Sequence, residues 1–285
     1  MSAAVLAEHA LTLPDLGLST RVLEAGKGPV VLMLHGNPDN ADEWRHLMAR
    51  LSPRYRCIAP DSPGYGKSPE PPASFTYSLA DQVRFVDAVL RQMRVDTPVI
   101  VVVHDTGGMV GTAWAAANLD RLAGMVVTNT VVFDDFPWFA IARQWGDTSL
   151  YGRLRSAVAM AALGLRSGAL FKRIFSGQCP DLSNTELDRF AASFAMNPAA
   201  KRTALRQFRR FMQKGFFQDF AAMRARILAK VPCRVIWGAK DSFIPAKFAH
   251  SFGSKQVTLL PNGGHWLALT APDALAAEVE AIARV

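Results

Sequence analysis

The stretch that most constrains this 285-residue chain is Val99 to Gly111, V-I-V-V-V-H-D-T-G-G-M-V-G. Val99 to Val103 are unbroken apolar residues, four valines and one isoleucine, which fits a strand buried on both faces of a parallel sheet. Polarity then arrives abruptly with His104, Asp105 and Thr106, followed by Gly107 and Gly108. Met109 to Asn118 reads as a small-residue helix packed close on the sheet. Strand, tight turn and helix in this order form an elbow that holds a reactive side chain at the carboxyl end of the strand, with glycines letting the helix approach. Its apex is Asp105. A helix N-cap is the plainer role for this Asp, but it leaves the companion motifs unexplained.

H-D-x-G-G after an apolar strand resembles the haloalkane dehalogenase and epoxide hydrolase branch of the α/β-hydrolase superfamily, which carries Asp at the elbow. The resemblance implies an α/β fold, with a mostly parallel central sheet flanked by helices and a helical cap. A carboxyl with the ordinary pKa of about 3.9 is an anion at neutral pH. It attacks an sp3 carbon without a base to deprotonate it, and the product is an alkyl ester of the enzyme. Thr106 as nucleophile is the rival frame; it would put Gly107 after the nucleophile and His104 where a small residue is wanted.

Three further motifs fall in the order this fold demands. Pro29 to Leu34 is a buried strand ending in His35-Gly36-Asn37-Pro38, which resembles the dehalogenase version of the family's H-G-x-P loop. By that resemblance Asn37 lends its backbone N–H to an oxyanion hole and its side-chain amide to the departing halide; each preorganised donor of this kind is worth about 3 to 4 kcal/mol. A polar turn before a helix Ala41 to Leu51 is the structural alternative. Val231 to Trp237 leads into Gly238-Ala239-Lys240-Asp241, where many α/β-hydrolases place their acid. Gln256 to Leu260 precedes Gly263-Gly264-His265-Trp266 and a terminal helix Ala271 to Arg284, which resembles the catalytic-histidine loop. Nucleophile, acid and histidine are thus Asp105, Asp241 and His265. His104 should point away from the pocket, and Asn129 stands at the alternative acid position after the strand Gly124 to Val127. Asp61 to Ser68 resembles the family's D-x-x-G-x-G-x-S loop, read as structural because the P-loop spacing is absent.

Half of the residues are hydrophobic, enough for a large core. Leu122 to Thr130 is a further strand, after which βα alternation stops until about residue 230. We therefore expect an α/β-hydrolase core over 1–130, a helical cap over 131–229 and the rest of the core over 230–285. The cap segment holds 15 Lys+Arg against 7 Asp+Glu, which accounts for the chain's whole net charge of +8. Lys201 to Lys214 places Arg202, Arg206 and Arg209 on one helical stripe, opposite Leu205, Phe208 and Met212. A solvated outer face explains that stripe better than nucleic acid, since no recognition motif accompanies it.

The leaving group is less constrained. Dehalogenases usually carry Trp after the nucleophile, whereas this chain has Thr106; Trp138 or Trp145 of the cap could supply the second halide donor, or serve as cavity wall. We assign Asn37, Thr106, Trp138 and Trp145 to the oxyanion and halide site. Epoxide hydrolases use two cap tyrosines as acid, and the cap contains Tyr151 alone. Loss of hydrolysis altogether, leaving a ligand-binding homologue, is a third reading, opposed by the intact triad. No nucleotide, metal or haem motif is visible, so no cofactor is expected. The expected partner is a small apolar substrate, a halogenated alkane or epoxide, with no nucleic acid and no membrane, in a monomer or homodimer. Cys57, Cys179 and Cys233 lack metal-ligand spacing and read as reduced core thiols. The short run Ala3 to Ala7 lacks the features of a secretory signal, and no apolar run approaches the roughly 18 residues of a membrane span. A cytoplasmic protein is expected.

Overall fold

The computed structural model describes residues 5–284, so Ala3 and Ala4 of the short N-terminal apolar run lie outside the described residues. Eight strands form one sheet in the order β1-β2-β4-β3-β5-β6-β7-β8. β1 (Ala7–Leu13) pairs antiparallel with β2 (Leu18–Ala25), and β2 antiparallel with β4 (Arg56–Pro60). β3 (Val30–Leu34), β4, β5 (Val99–Asp105), β6 (Leu122–Thr130), β7 (Cys233–Gly238) and β8 (Gln256–Leu260) run parallel. β1 alternates in exposure because it sits at the edge, whereas β2, between β1 and β4, is mostly buried. β5 lies centrally and is apolar throughout because both faces are covered.

Ile100 and Val102 pack with Trp44, Leu47, Leu275 and Val279 on one face, under α1 (Arg45–Leu51) and α12 (Pro272–Ile282). Val99, Val101 and Val103 pack on the other face with Phe85, Trp114, Phe220 and Ile227. That face lies under α2 (Leu79–Gln92), α3 (Thr106–Ala117) and α9 (Phe220–Lys230). Two short helices, α10 (Lys247–Ser251) and α11 (Leu267–Thr270), flank β8; the second had no periodic signal in four residues.

Between β6 and α9 come α4 (Ala140–Gly146), α5 (Leu150–Leu163), α6 (Leu165–Gln178), α7 (Asn184–Phe190) and α8 (Pro198–Phe211). They share a separate core of Met160, Phe171, Phe190, Phe194 and Leu205 that also takes in Tyr65 and Trp266. α9, by contrast, packs on α3 beside the sheet. The arginine stripe of α8 is solvated only in part: Arg202 is 60 % exposed, whereas Arg206 is held against a loop. Arg206 donates to the carbonyls of Pro71, Pro72 and Phe75 at 3.0, 3.2 and 2.8 Å, and Arg202 reaches Glu70 at 2.8 Å. The proline-rich loop 69–75 offers carbonyls that no strand or helix satisfies, and the stripe supplies their donors.

Candidate active site

β5 ends at Asp105, whose φ of +46° and ψ of −122° lie where L-residues are strained by about 1 to 3 kcal/mol. The glycines around it are enforced by contact. A Cβ on Gly107 would stand 2.1 Å from the Leu34 carbonyl oxygen, one on Gly108 1.8 Å from Thr130 Oγ1, and one on Gly36 2.3 Å from Asp105 Cβ. Asp105 is thereby pressed against the loop after β3. There the Asn37 N–H donates to Asp105 Oδ2 at 2.8 Å, which leaves Oδ1 as the carboxylate oxygen without a protein donor among the described residues.

His265 follows β8 and is 3 % exposed. Its Nδ1 lies 2.7 Å from Asp241 Oδ2, so the proton sits on Nδ1 and Nε2 is free to act as base. Asp241 also accepts from Asn129 Nδ2 at 2.6 Å and from the N–H groups of Phe243 and Ile244 at 2.7 and 2.9 Å. Burial pushes its pKa up, but His265, Asn129 and the backbone N–H of Ile244 outweigh that and hold it below the ordinary carboxylate value. Asn129, met in the sequence as a missing acid, is the residue that clamps the acid in use. It has a positive φ of 37°, and its Oδ1 accepts from Gly238 N–H.

Asp105, His265, Asn37, Trp138 and Trp145 line one cavity between sheet and cap, with Phe139, Phe171, Phe175, Phe194, Phe208 and Trp266 as its apolar wall. Asp241 stands behind His265. Thr106, at the first position of α3, is 6 % exposed and is not among the residues that line the cavity. What Thr106 offers is a first-turn N–H without an intrahelical acceptor. No bond to either indole N–H of Trp138 and Trp145 is formed among the described residues. Trp138 packs edge-on to Phe136 and Phe208, and Trp145 edge-on to Phe208.

Two partners of the site carry no sequence signal. Tyr65 Oη lies 3.1 Å from Asn37 Oδ1 and 2.8 Å from Gln207 Oε1 on α8. One hydroxyl hydrogen serves both amides only if one of them turns its NH2 to the phenol. With Gln207 so turned, Tyr65 holds Asn37 by its oxygen, and Nδ2 is left as the free end of the amide. The other partner is Glu43, fully buried, whose Oε1 is 2.7 Å from His104 Nδ1, outside hydrogen-bond alignment. The His104 ring in turn lies 4.5 Å from that of His265. His104 does not line the cavity, yet it backs the His265 ring. Burial alone would lower the His104 pKa; the Glu43 carboxylate more than offsets this and lifts it to about 9. A folded-state pKa above the free value of about 6.5 contributes stability that is complete below that pH and is lost as pH rises through about 9. The melting temperature of the native protein should therefore fall across this window more steeply than that of Glu43→Gln. Equal slopes would exclude a charged pair.

The α/β hydrolase fold family model matches residues 29–272, most of the chain. The chain belongs to the α/β hydrolase fold family. This α/β hydrolase is 30 % identical to a cis-3-alkyl-4-alkyloxetan-2-one decarboxylase of Xanthomonas campestris pv. campestris, over 83 % of this chain and 81 % of the relative. It is 29 % identical to a haloalkane dehalogenase of Mesorhizobium japonicum, over 92 % and 87 %. Among solved structures, the haloalkane dehalogenase from Bradyrhizobium elkani superposes with a TM-score of 0.77 at 24 % identity, covering 98 % of each chain. The chain is thus an α/β-hydrolase enzyme with the expected architecture.

Proposed function

We propose that the enzyme displaces halide from a haloalkane through Asp105 and then hydrolyses the alkyl-enzyme ester. The observation that carries this reading is a free carboxylate oxygen and a free amide end, from Asp105 and Asn37, at one apolar cavity whose wall, among the described residues, contains no tyrosine. Oδ1 attacks the carbon and the carbon–halogen bond breaks, with the halide leaving toward Asn37 Nδ2. His265 Nε2 then takes a proton from water, whose oxygen attacks the Asp105 carbonyl carbon. Negative charge builds on Oδ2, which the Asn37 N–H already holds. The bond between the Asp105 carbonyl carbon and Oδ1 then breaks, His265 gives its proton to the departing alcohol oxygen, and the carboxyl left behind loses its own proton to solvent to restore the carboxylate. In this reading the helices of 131–229 form the cap that shuts water out.

The leaving group decides among relatives. An opening epoxide yields an alkoxide and needs an acid; Tyr151 is 69 % exposed on the outer side of α5, and the Tyr65 hydroxyl is engaged by two amides. A second reading is favoured by the 30 % identical oxetanone decarboxylase. Attack of Asp105 on the ring carbon bearing oxygen would expel a carboxylate, which, like halide, leaves without a proton. Breaking the bond to that carboxylate would then release carbon dioxide, form an alkene and return Asp105 as its anion.

Halide release from 1,2-dibromoethane, diol formation from styrene oxide and carbon dioxide release from a cis-3,4-dialkyloxetan-2-one separate these outcomes. We expect halide release. Carbon dioxide without halide would transfer the enzyme to the second reading, and diol without halide to the epoxide one. Asn37→Ala should lower bromoalkane turnover about 10²-fold, since the amide donates to charge that grows in the transition state. Tyr65→Phe, which removes one neutral hydrogen bond from the amide that acts, should lower it only about 5- to 10-fold. An unchanged rate in Asn37→Ala would remove this residue from the halide site.

A further inference from the structure

α5 and α6 are apolar on both sides. Inward, Leu163, Phe171, Ile174 and Phe175 line the cavity. Outward, Leu150, Leu154, Val158 and Leu165 stand 87, 63, 61 and 64 % exposed, at helical spacing along one face of α5 and into the bend that follows. Tyr151 and Leu170 flank them, also exposed. A folded surface rarely leaves a contiguous apolar face of this size without a use.

The charges of the same segment are of one sign. Leu150 to Gln178 contains Arg153, Arg155, Arg166, Lys172 and Arg173, and no Asp or Glu. Among the described residues, Lys172 alone of these five has a carboxylate within ion-pair distance, Asp188 at 2.8 Å. Arg153 donates to the Thr148 carbonyl, and Arg155 lies over the Tyr151 ring. Asp147, just before α5, is turned to the N–H of Ser149.

We propose that this face of the cap docks on an anionic lipid bilayer. Exposed leucine and valine suit the boundary of headgroup and acyl chain, while unpaired arginines suit lipid phosphates just above it. A second copy of the chain fits poorly, because a two-fold contact would lay this all-basic face on itself with no acid to pair. Among the described residues, no single helix is long and apolar enough to cross a membrane; α5 and α6 together have the length and composition for a span, but they are bent 99° from one another and their inner side lines the cavity, so we place them along the surface. The sequence led us to expect no membrane, on run length alone, and run length addresses only a span. Resting on the reading of an apolar substrate, one consequence is that such a substrate, concentrated in lipid, reaches the enzyme on the side where α5 and α6 roof its cavity.

The test is co-sedimentation of the full chain with vesicles of phosphatidylcholine alone or mixed in equal parts with phosphatidylglycerol. At low salt the native protein should bind the anionic vesicles at least about tenfold better, with the difference shrinking at high salt. Leu154→Glu combined with Val158→Glu should abolish binding while bromoalkane turnover in solution stays native, since neither residue touches the cavity. Binding requires no turnover, so this outcome is independent of the assigned reaction. Native protein left in the supernatant with anionic vesicles would overturn the proposal, as would a double variant that binds equally well. A solution dimer that the double variant dissociates would also overturn it, in favour of a second copy.

Discussion

With His265 replaced by Phe, the protein incubated with a reactive bromoalkane is expected to gain the mass of one alkyl group and keep it. The alkylation step uses only the Asp105 anion, whereas hydrolysis requires a base on Nε2, so the variant stops halfway. Steady-state turnover should drop at least about 10³-fold, a loss in the range seen when a catalytic base is removed, while one equivalent of halide is still released in a burst. Intact-mass measurement checks it. Unmodified mass under conditions where the native enzyme turns over would mean that His265 acts in the first step, or that Asp105 is not the nucleophile.

Replacing Asp105 by Ala should remove both the burst and the turnover, by at least about 10⁴-fold, because no other carboxylate among the described residues faces the cavity. The companion measurement uses the native enzyme in heavy-oxygen water for a single turnover. Label should enter the Asp105 carboxylate, since the water oxygen attacks its carbonyl carbon and one of the two oxygens then leaves with the product. If label is found only in the alcohol, direct displacement by water replaces the covalent route, and Asp105 becomes a base. The strained backbone of Asp105 favours a nucleophile whose position must not drift: its N–H partner at Asn37 and its glycine floor at Gly36 both come from the loop after β3.

The two ends of the site were unequally legible. Asp105, Asp241 and His265 each follow a recognisable strand and stand in short motifs, so local pattern places them at the carboxyl edge of one parallel sheet. The partners that set their orientation have no such marker. Gln207 lies 142 positions from Tyr65, and Glu43 reaches His104 from a turn under another strand. A polar residue that acts through one hydrogen bond across the fold looks, in the sequence, like any surface residue. Thr106 shows the converse. Its position after Asp105 suggested a place in the oxyanion and halide site, yet it does not line the cavity and offers that site only its first-turn N–H.

The cap diverged most, for a physical reason. Its helices were expected from their composition, but periodicity tells only that a face is apolar, not what covers it. Arg206 read as part of a solvated stripe and instead donates to three carbonyls of the loop 69–75, while Arg202 stays exposed and pairs with Glu70. Leu150, Leu154 and Val158 carry no local mark of which way they face, and they stand outward. The sequence by itself determined the α/β hydrolase core, through buried strands and glycines that only a close-packed elbow requires. Tertiary structure alone decided which side of each cap helix meets the cavity, because that depends on contacts between segments whose separation no local pattern records.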